Sequence, residues 1–187
     1  MKVVAAVLLL CGLTWGQRTE SLGKGVWEFG IWTGGATSVS STAGVRLWNL
    51  GMRAGKVLTD EHGPGPLRGR LEYAADLVPL YIIWHSKTSY AAAINPLILK
   101  WNFSGTARVV PYFELGGGLL VSPDELPAGT SNVNFLPQGS FGVYVFTREK
   151  RAVSLAARYV HISNAGISDP NPGINTLQFS VGYHWFK

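Results

Sequence analysis

The chain has little of what thiol, metal or nucleic-acid chemistry requires. Its 187 residues include a single cysteine, Cys11, which lies so near the start that an exported chain would keep no thiol and no disulfide. Only 14% of the residues are charged, and the net charge of +5 is not gathered into a lysine or arginine cluster, which argues against nucleic-acid binding. His62 and His85 have no suitably spaced partner, so we expect no metal and no cofactor.

Long hydrophobic runs are also missing after the N-terminus. The longest, residues 78–84, is far shorter than the ~20 residues of a membrane helix. At the N-terminus, Lys2 precedes an apolar run over residues 3–13 and a small-x-small site at residues 14–16, which is typical of a secretory signal. We therefore expect residues 1–16 to be a signal peptide and residues 17–187 to form one exported domain.

What the chain does contain is alternation of apolar and polar residues with a period of two, which predicts β-strands. In the third alternating segment, for example, Leu71, Tyr73, Leu77 and Tyr81 share one face. The second segment is poorly patterned, because Arg53 falls on the wrong face. The alternation predicts eight strands, at residues 25–36, 43–57, 69–84, 89–103, 107–121, 133–147, 151–163 and 175–187.

An eight-stranded antiparallel barrel can bury its apolar face, as soluble lipid-binding barrels do, or turn it towards lipid. The signal sequence, the small residues of the polar faces and the aromatic residues near segment ends favour the transmembrane barrel. The charged residues that alternate inward should then pair inside the lumen: Glu28, Glu72, Asp76, Lys100, Arg108, Glu114 and Arg158. His184 fits the same interior.

The order of strands places the loops. With both chain ends in the periplasm, connections after strands one, three, five and seven lie at the outer surface. The connection after the second strand is longer than periplasmic turns usually are. The outer connection after the seventh strand carries the sequence HISNAGISDPNPGIN, residues 161–175.

This segment contains a histidine and a serine, two residues apart. The seventh strand's register puts His161 and Ser163 on the lipid-facing row, and the eighth strand's register puts Asn175 on the same row. Their convergence has two interpretations. They are ordinary polar residues at the headgroup level, or they are a nucleophile and its base.

The segment resembles the lipid A 3-O-deacylase family, grouped with acyloxyacyl hydrolase-like barrels, which are eight-stranded outer-membrane esterases. The family's His-x-Ser-Asn-Ala motif is met by His161, Ser163, Asn164 and Ala165. The resemblance implies that Ser163 is the nucleophile and His161 its general base. It also implies an oxyanion hole formed by the Gly166 backbone N–H and the Asn171 side-chain amide.

One position departs from the family pattern. The third member of the family's triad is a glutamate twelve residues after the serine, and this chain has Asn175 there. An asparagine oxygen can accept the histidine's N–H but supplies no charge. Asp169, in the same loop, is an alternative third member.

We therefore expect an outer-membrane esterase that removes an ester-linked acyl chain from lipid A, with lipopolysaccharide as its substrate and no cofactor. A non-catalytic small outer-membrane barrel, structural or adhesive, is the alternative, and a soluble lipid-binding barrel is a third. The sequence leaves open whether the barrel forms a homodimer.

Overall fold

A computed structural model describes residues 20–39, 44–106 and 108–187, so the expected signal peptide lies outside the described residues. Short 3-10 turns lie at Glu20–Leu22 and Gly65–Leu67. No helix in these ranges is long and apolar enough to cross a membrane. The strands are β1 (Trp27–Ser38), β2 (Arg46–Val57), β3 (Gly69–Trp84), β4 (Thr88–Phe103), β5 (Val109–Val121), β6 (Val133–Phe135), β7 (Gln138–Arg148), β8 (Arg151–Ile162) and β9 (Ile174–Phe186).

The strands form a closed antiparallel barrel, in which β4 pairs with β5 and β9 pairs with β1. The short strand β6 continues β7 along the same neighbours and in the same register: Gln138 pairs with Gly116, and Phe135 pairs with Leu119. The two are separated at Leu136 and Pro137, because a proline has no N–H to donate to a ladder. Nine strands therefore fill eight positions, and the predicted eight-stranded barrel is confirmed.

Around its middle, the barrel turns apolar side chains outward and charged side chains inward. Outward-facing residues such as Leu99, Phe113 and Phe179 are exposed, whereas Glu72 and Lys100 are fully buried. This is the reverse of a soluble barrel, and it is the pattern that a lipid environment requires.

Side chains fill the interior in three layers. Apolar clusters occupy the two ends, one around Leu47, Ile83 and Ile162 and the other around Val57 and Phe186. Between them lies a network of buried ion pairs. Arg53 contacts Asp76 and Glu114, both at 2.7 Å. Arg158 contacts Glu114 at 3.0 Å, and Lys100 bridges Glu28 and Glu72, the latter at 2.9 Å.

Three side chains differ from the sequence interpretation. Arg53 faces inward at the centre of the ion-pair network, so β2 alternates regularly. Arg108 is exposed in the β4–β5 turn and not in the lumen. Tyr81 is buried, because the pairing of β3 with β4 shifts register between Val78 and Tyr81 and moves the later residues to the opposite face.

The start of β1 lies beside the residue that follows β9, with Trp27 and Lys187 exchanging backbone hydrogen bonds of 2.8 Å. This end of the barrel, the terminal end, carries connections 58–68, 104–108 and 149–150. The opposite end, the distal end, carries connections 39–45, 85–87, 122–132 and 163–173. The distribution of loops matches the prediction, although lengths do not follow the usual rule: the distal 85–87 connection is shorter than the terminal 58–68 connection.

Candidate active site

The pairing of β8 with β9 sets His161 directly opposite Asn175 at the distal end. Side chains of paired residues leave the sheet on the same face, so the two meet. His161 Nδ1 lies 2.6 Å from Asn175 Oδ1. An oxygen at this distance accepts the proton of Nδ1, so Nε2 is the nitrogen that can take up a proton from a partner.

Tyr159 joins the same pair. Its hydroxyl donates to Asn175 Oδ1 across 2.8 Å, so this oxygen accepts from two side chains. Tyr159 is not among the site residues expected from the sequence. The signal was present, because alternation places Tyr159, His161 and Ser163 on one face of the strand.

Ser163 follows β8 and is held by its backbone. The Phe135 N–H donates to the Ser163 carbonyl at 2.7 Å, and the Ser163 N–H donates to the Phe135 carbonyl at 3.2 Å. The residue is 6% exposed. Hydrogen bonds among the described residues do not include one between Ser163 Oγ and His161. The two residues share the outward row, two positions apart.

Gly173 sits against the imidazole edge that carries Nε2. Ile162 and Ile174 form the last pair of β8 and β9 at the distal end. Ser163 follows Ile162 and Gly173 precedes Ile174, so both lie just beyond this pair. The φ of Gly173 is 64°, and a Cβ placed on it would lie 2.8 Å from His161 Cε1. A glycine here gives the imidazole room to extend towards the level of Ser163.

Asn164 organises the loop between β8 and β9. The residue is buried, and its amide nitrogen donates to the backbone carbonyl and the hydroxyl of Ser168, each at 2.9 Å. Its Oδ1 accepts from the Gly166 N–H at 2.9 Å. Ser168 in turn donates to the Thr130 carbonyl at 3.2 Å, which ties the loop to its neighbour.

The two expected oxyanion donors both lie beside Asn164. The Asn171 Oδ1 accepts from the Asn164 backbone N–H at 3.2 Å, which leaves the Asn171 amide N–H groups to point elsewhere. The Gly166 N–H is occupied by Asn164. Ala165 and Asp169 are both exposed, and it is Asn175, not Asp169, that contacts His161.

His184 and His62 lie away from this site, and His85 begins the distal connection between β3 and β4. His184 faces the lumen, where its ring nitrogens lie 2.6 Å from Glu28 and 2.8 Å from Ser154. His62 packs against Trp101 at the terminal end, with ring centroids 4.9 Å apart. Within the described ranges, no group of three or more His, Cys, Asp or Glu side chains is placed to hold a metal ion.

The fold resembles solved outer-membrane barrels. The outer membrane enzyme PagL is 18% identical over 84% of this chain and 98% of its own, with a TM-score of 0.56. Neisserial surface protein A is 17% identical over 87% of this chain and 99% of its own, with a TM-score of 0.64. The outer membrane protein OprG from Pseudomonas aeruginosa is 12% identical over 89% of this chain and 98% of its own, with a TM-score of 0.54.

At these identities, structural likeness establishes the fold alone. No curated protein sequence is a significant match to the chain. The family model for lipid A 3-O-deacylase (PagL), however, matches residues 12–184, which include every strand but the last two residues of β9. The chain therefore belongs to the lipid A 3-O-deacylase (PagL) family.

Proposed function

We propose that the protein is an outer-membrane esterase that hydrolyses an ester-linked acyl chain of lipid A at the 3-O position. One observation carries the proposal. In a chain of this family, the contact between His161 and Asn175 lies on the outward row that also holds Ser163. A histidine with Nδ1 engaged by an oxygen acceptor has the tautomer that a serine nucleophile needs.

The proposed reaction proceeds in two steps. Ser163 Oγ attacks the ester carbonyl while His161 Nε2 takes the hydroxyl proton, and His161 then returns the proton to the departing sugar oxygen. A water molecule, deprotonated by His161, attacks the acyl-serine ester and releases the fatty acid and the free Ser163 hydroxyl. The hydrogen bond between Ser163 and His161 forms when substrate arrives, as catalytic contacts often tighten only in the complex.

The oxyanion of each tetrahedral intermediate needs preplaced donors. The Asn171 side-chain amide is one, since its oxygen is already held by the Asn164 N–H. The Gly166 N–H is the second, and it can serve only after it releases Asn164 Oδ1. The proposal therefore includes a small rearrangement of the 163–173 loop on substrate binding.

The surroundings of Ser163 suit a lipid substrate. On one side, Phe135 pairs with Leu119, and both side chains are exposed. On the other side, beyond Asn175, a groove of about 640 Å³ opens on the outward surface between Trp48 and Phe179, with Arg46 among its lining residues. Apolar walls suit acyl chains, and the guanidinium suits a phosphate of the lipid A headgroup.

The outer-membrane location rests on the outward apolar surface, the expected signal peptide and the outer-membrane proteins that share the fold. In that membrane, the distal end faces the outside, where lipopolysaccharide lies. The active site would then sit at the level of the ester bonds and not deep among the acyl chains.

A non-catalytic barrel is the second candidate, and Asn175 favours it, because an amide cannot supply the charge that stabilises an imidazolium. To separate the two, wild type and Ser163→Ala would be expressed in a Gram-negative host with 3-O-acylated lipid A. Mass spectrometry of the lipid A should show loss of one acyl chain with wild type alone. Intact lipid A with both proteins, at equal amounts of folded barrel, would select the non-catalytic candidate.

A further inference from the structure

We propose that Tyr159 is a positioning residue that fixes the orientation of the Asn175 amide and, through it, the tautomer of His161. The inference rests on the proposed function, because it assigns Tyr159 a part in that site. The juxtaposition is direct: the Tyr159 hydroxyl and His161 Nδ1 converge on the same Asn175 oxygen, at 2.8 Å and 2.6 Å.

An asparagine needs such a partner where a glutamate does not. Both ends of a carboxylate are acceptors, so rotation about its terminal bond presents an oxygen to the histidine in either orientation. An amide has one accepting and one donating end, and its terminal torsion is loosely restrained. Replacing the family's glutamate by Asn175 therefore introduces two orientations, of which one serves the reaction.

The opposite orientation of the amide changes which ring nitrogen of His161 carries the proton. With Asn175 Nδ2 turned towards His161, Nδ1 must accept a hydrogen bond, and the ring proton moves to Nε2. An Nε2–H cannot take a proton from Ser163. The orientation of one amide thus decides whether His161 is a base towards the serine.

Tyr159 opposes that rotation. Its O–H donates to Asn175 Oδ1 at a length typical of a hydroxyl–carbonyl hydrogen bond. If the amide rotated, Nδ2 would face the hydroxyl in place of Oδ1, and this proton would lose its acceptor. Tyr159 stands two residues before His161 on the same row of β8, so the strand itself sets the spacing.

The kinetic test uses a double-mutant cycle with purified, refolded barrels and lipid A as substrate. Tyr159→Phe in the wild-type background should lower kcat by roughly 10-fold with little change in KM, equal to about 1.4 kcal/mol. In the Asn175→Glu background, where both ends are oxygens, the same change should alter kcat by no more than about 2-fold. Tyr183 is another exposed tyrosine of the outward surface, and Tyr183→Phe should change neither kcat nor KM.

A spectroscopic measurement tests the same inference without activity. The ¹⁵N shifts of labelled His161, assigned by comparison with His161→Gln, should show a proton on Nδ1 in wild type. In Tyr159→Phe they should show a mixture of both tautomers.

Unchanged kcat and an unchanged tautomer in Tyr159→Phe would overturn the proposal. An equal loss in both backgrounds would also overturn it, because Tyr159 would then act on the fold and not on the amide. If neither wild type nor Asn175→Glu removed an acyl chain, the proposed function would fail, and the tautomer measurement alone would decide the role of Tyr159.

Discussion

Phe135 and Ser163 hold each other through two backbone hydrogen bonds, of 2.7 Å and 3.2 Å. The contact couples the end of β8 to β6, on the far side of the Leu136–Pro137 interruption. The His161 N–H adds a third bond, to the Pro137 carbonyl at 3.0 Å. The backbones of the proposed nucleophile and base are therefore fixed by the same short segment.

Removing the Phe135 N–H should loosen Ser163. Phe135→Pro deletes the donor to the Ser163 carbonyl, and small misplacements of a nucleophile can cost ~100-fold in rate. We expect kcat for lipid A deacylation to fall at least ~10-fold. Phe135→Leu keeps the N–H and should retain most of the rate. Equal activity of the two variants, both folded, would mean that the backbone contact does not position Ser163.

Gly173 should tolerate no side chain. Alanine at this position would adopt an unfavourable φ and place its Cβ 2.8 Å from His161 Cε1, so the imidazole must turn away. Gly129→Ala is the matched control, because Gly129 has a φ of 83° in another distal loop but open space around it. Measured by lipid A turnover, Gly173→Ala should lose most activity and Gly129→Ala almost none. Similar losses in both would trace the effect to backbone strain.

A charge at position 175 should accelerate the reaction. Asn175→Glu places a carboxylate beside the imidazolium that forms in the transition state. We expect a roughly 10- to 100-fold increase in kcat, or about 1.4–2.8 kcal/mol. Asn175→Gln has the same length without the charge and isolates the electrostatic contribution. A rate for Asn175→Glu at or below that of Asn175→Gln would indicate a site adapted to the amide.

Breaking one of the buried ion pairs should destabilise the barrel. Lys100→Met would leave Glu28 and Glu72 without their shared cation, and removing one partner of a buried pair typically costs about 3–5 kcal/mol. Lys87→Met removes an exposed partner of Asp124 and should leave the urea midpoint nearly unchanged. Indistinguishable midpoints for the two variants, measured by unfolding in lipid vesicles, would contradict a structural role for the network.

Much of this fold could be predicted because a half-buried strand repeats every two residues. All eight segments and the distribution of their loops follow from that period. The exceptions are local. Tyr81 lies beyond a register shift, and Pro79 is the residue in the sequence that marks it. Arg53 shares the inward row of its strand with the apolar residues Leu47 and Val57, so the row has no uniform polarity to read. Arg108 belongs to a tight turn, where alternation no longer applies.

The candidate site also has a part that could be predicted from the sequence and a part that could not. The convergence of His161 and Asn175 could be predicted because both belong to paired strands of known register. The loop could not, since its geometry depends on contacts between distant segments. Ser168 donates to the Thr130 carbonyl, and Phe135 reaches Ser163 from another hairpin. Such contacts have no periodic signature.

The most direct test of the account is lipid A turnover by purified wild type and Ser163→Ala. Both would be refolded in detergent, and a gel shift on boiling would confirm that each barrel is closed. Mass spectrometry should find a released fatty acid and lipid A lacking one acyl chain with wild type, and neither product with Ser163→Ala. Undiminished release by folded Ser163→Ala would contradict the assignment of Ser163 as the nucleophile.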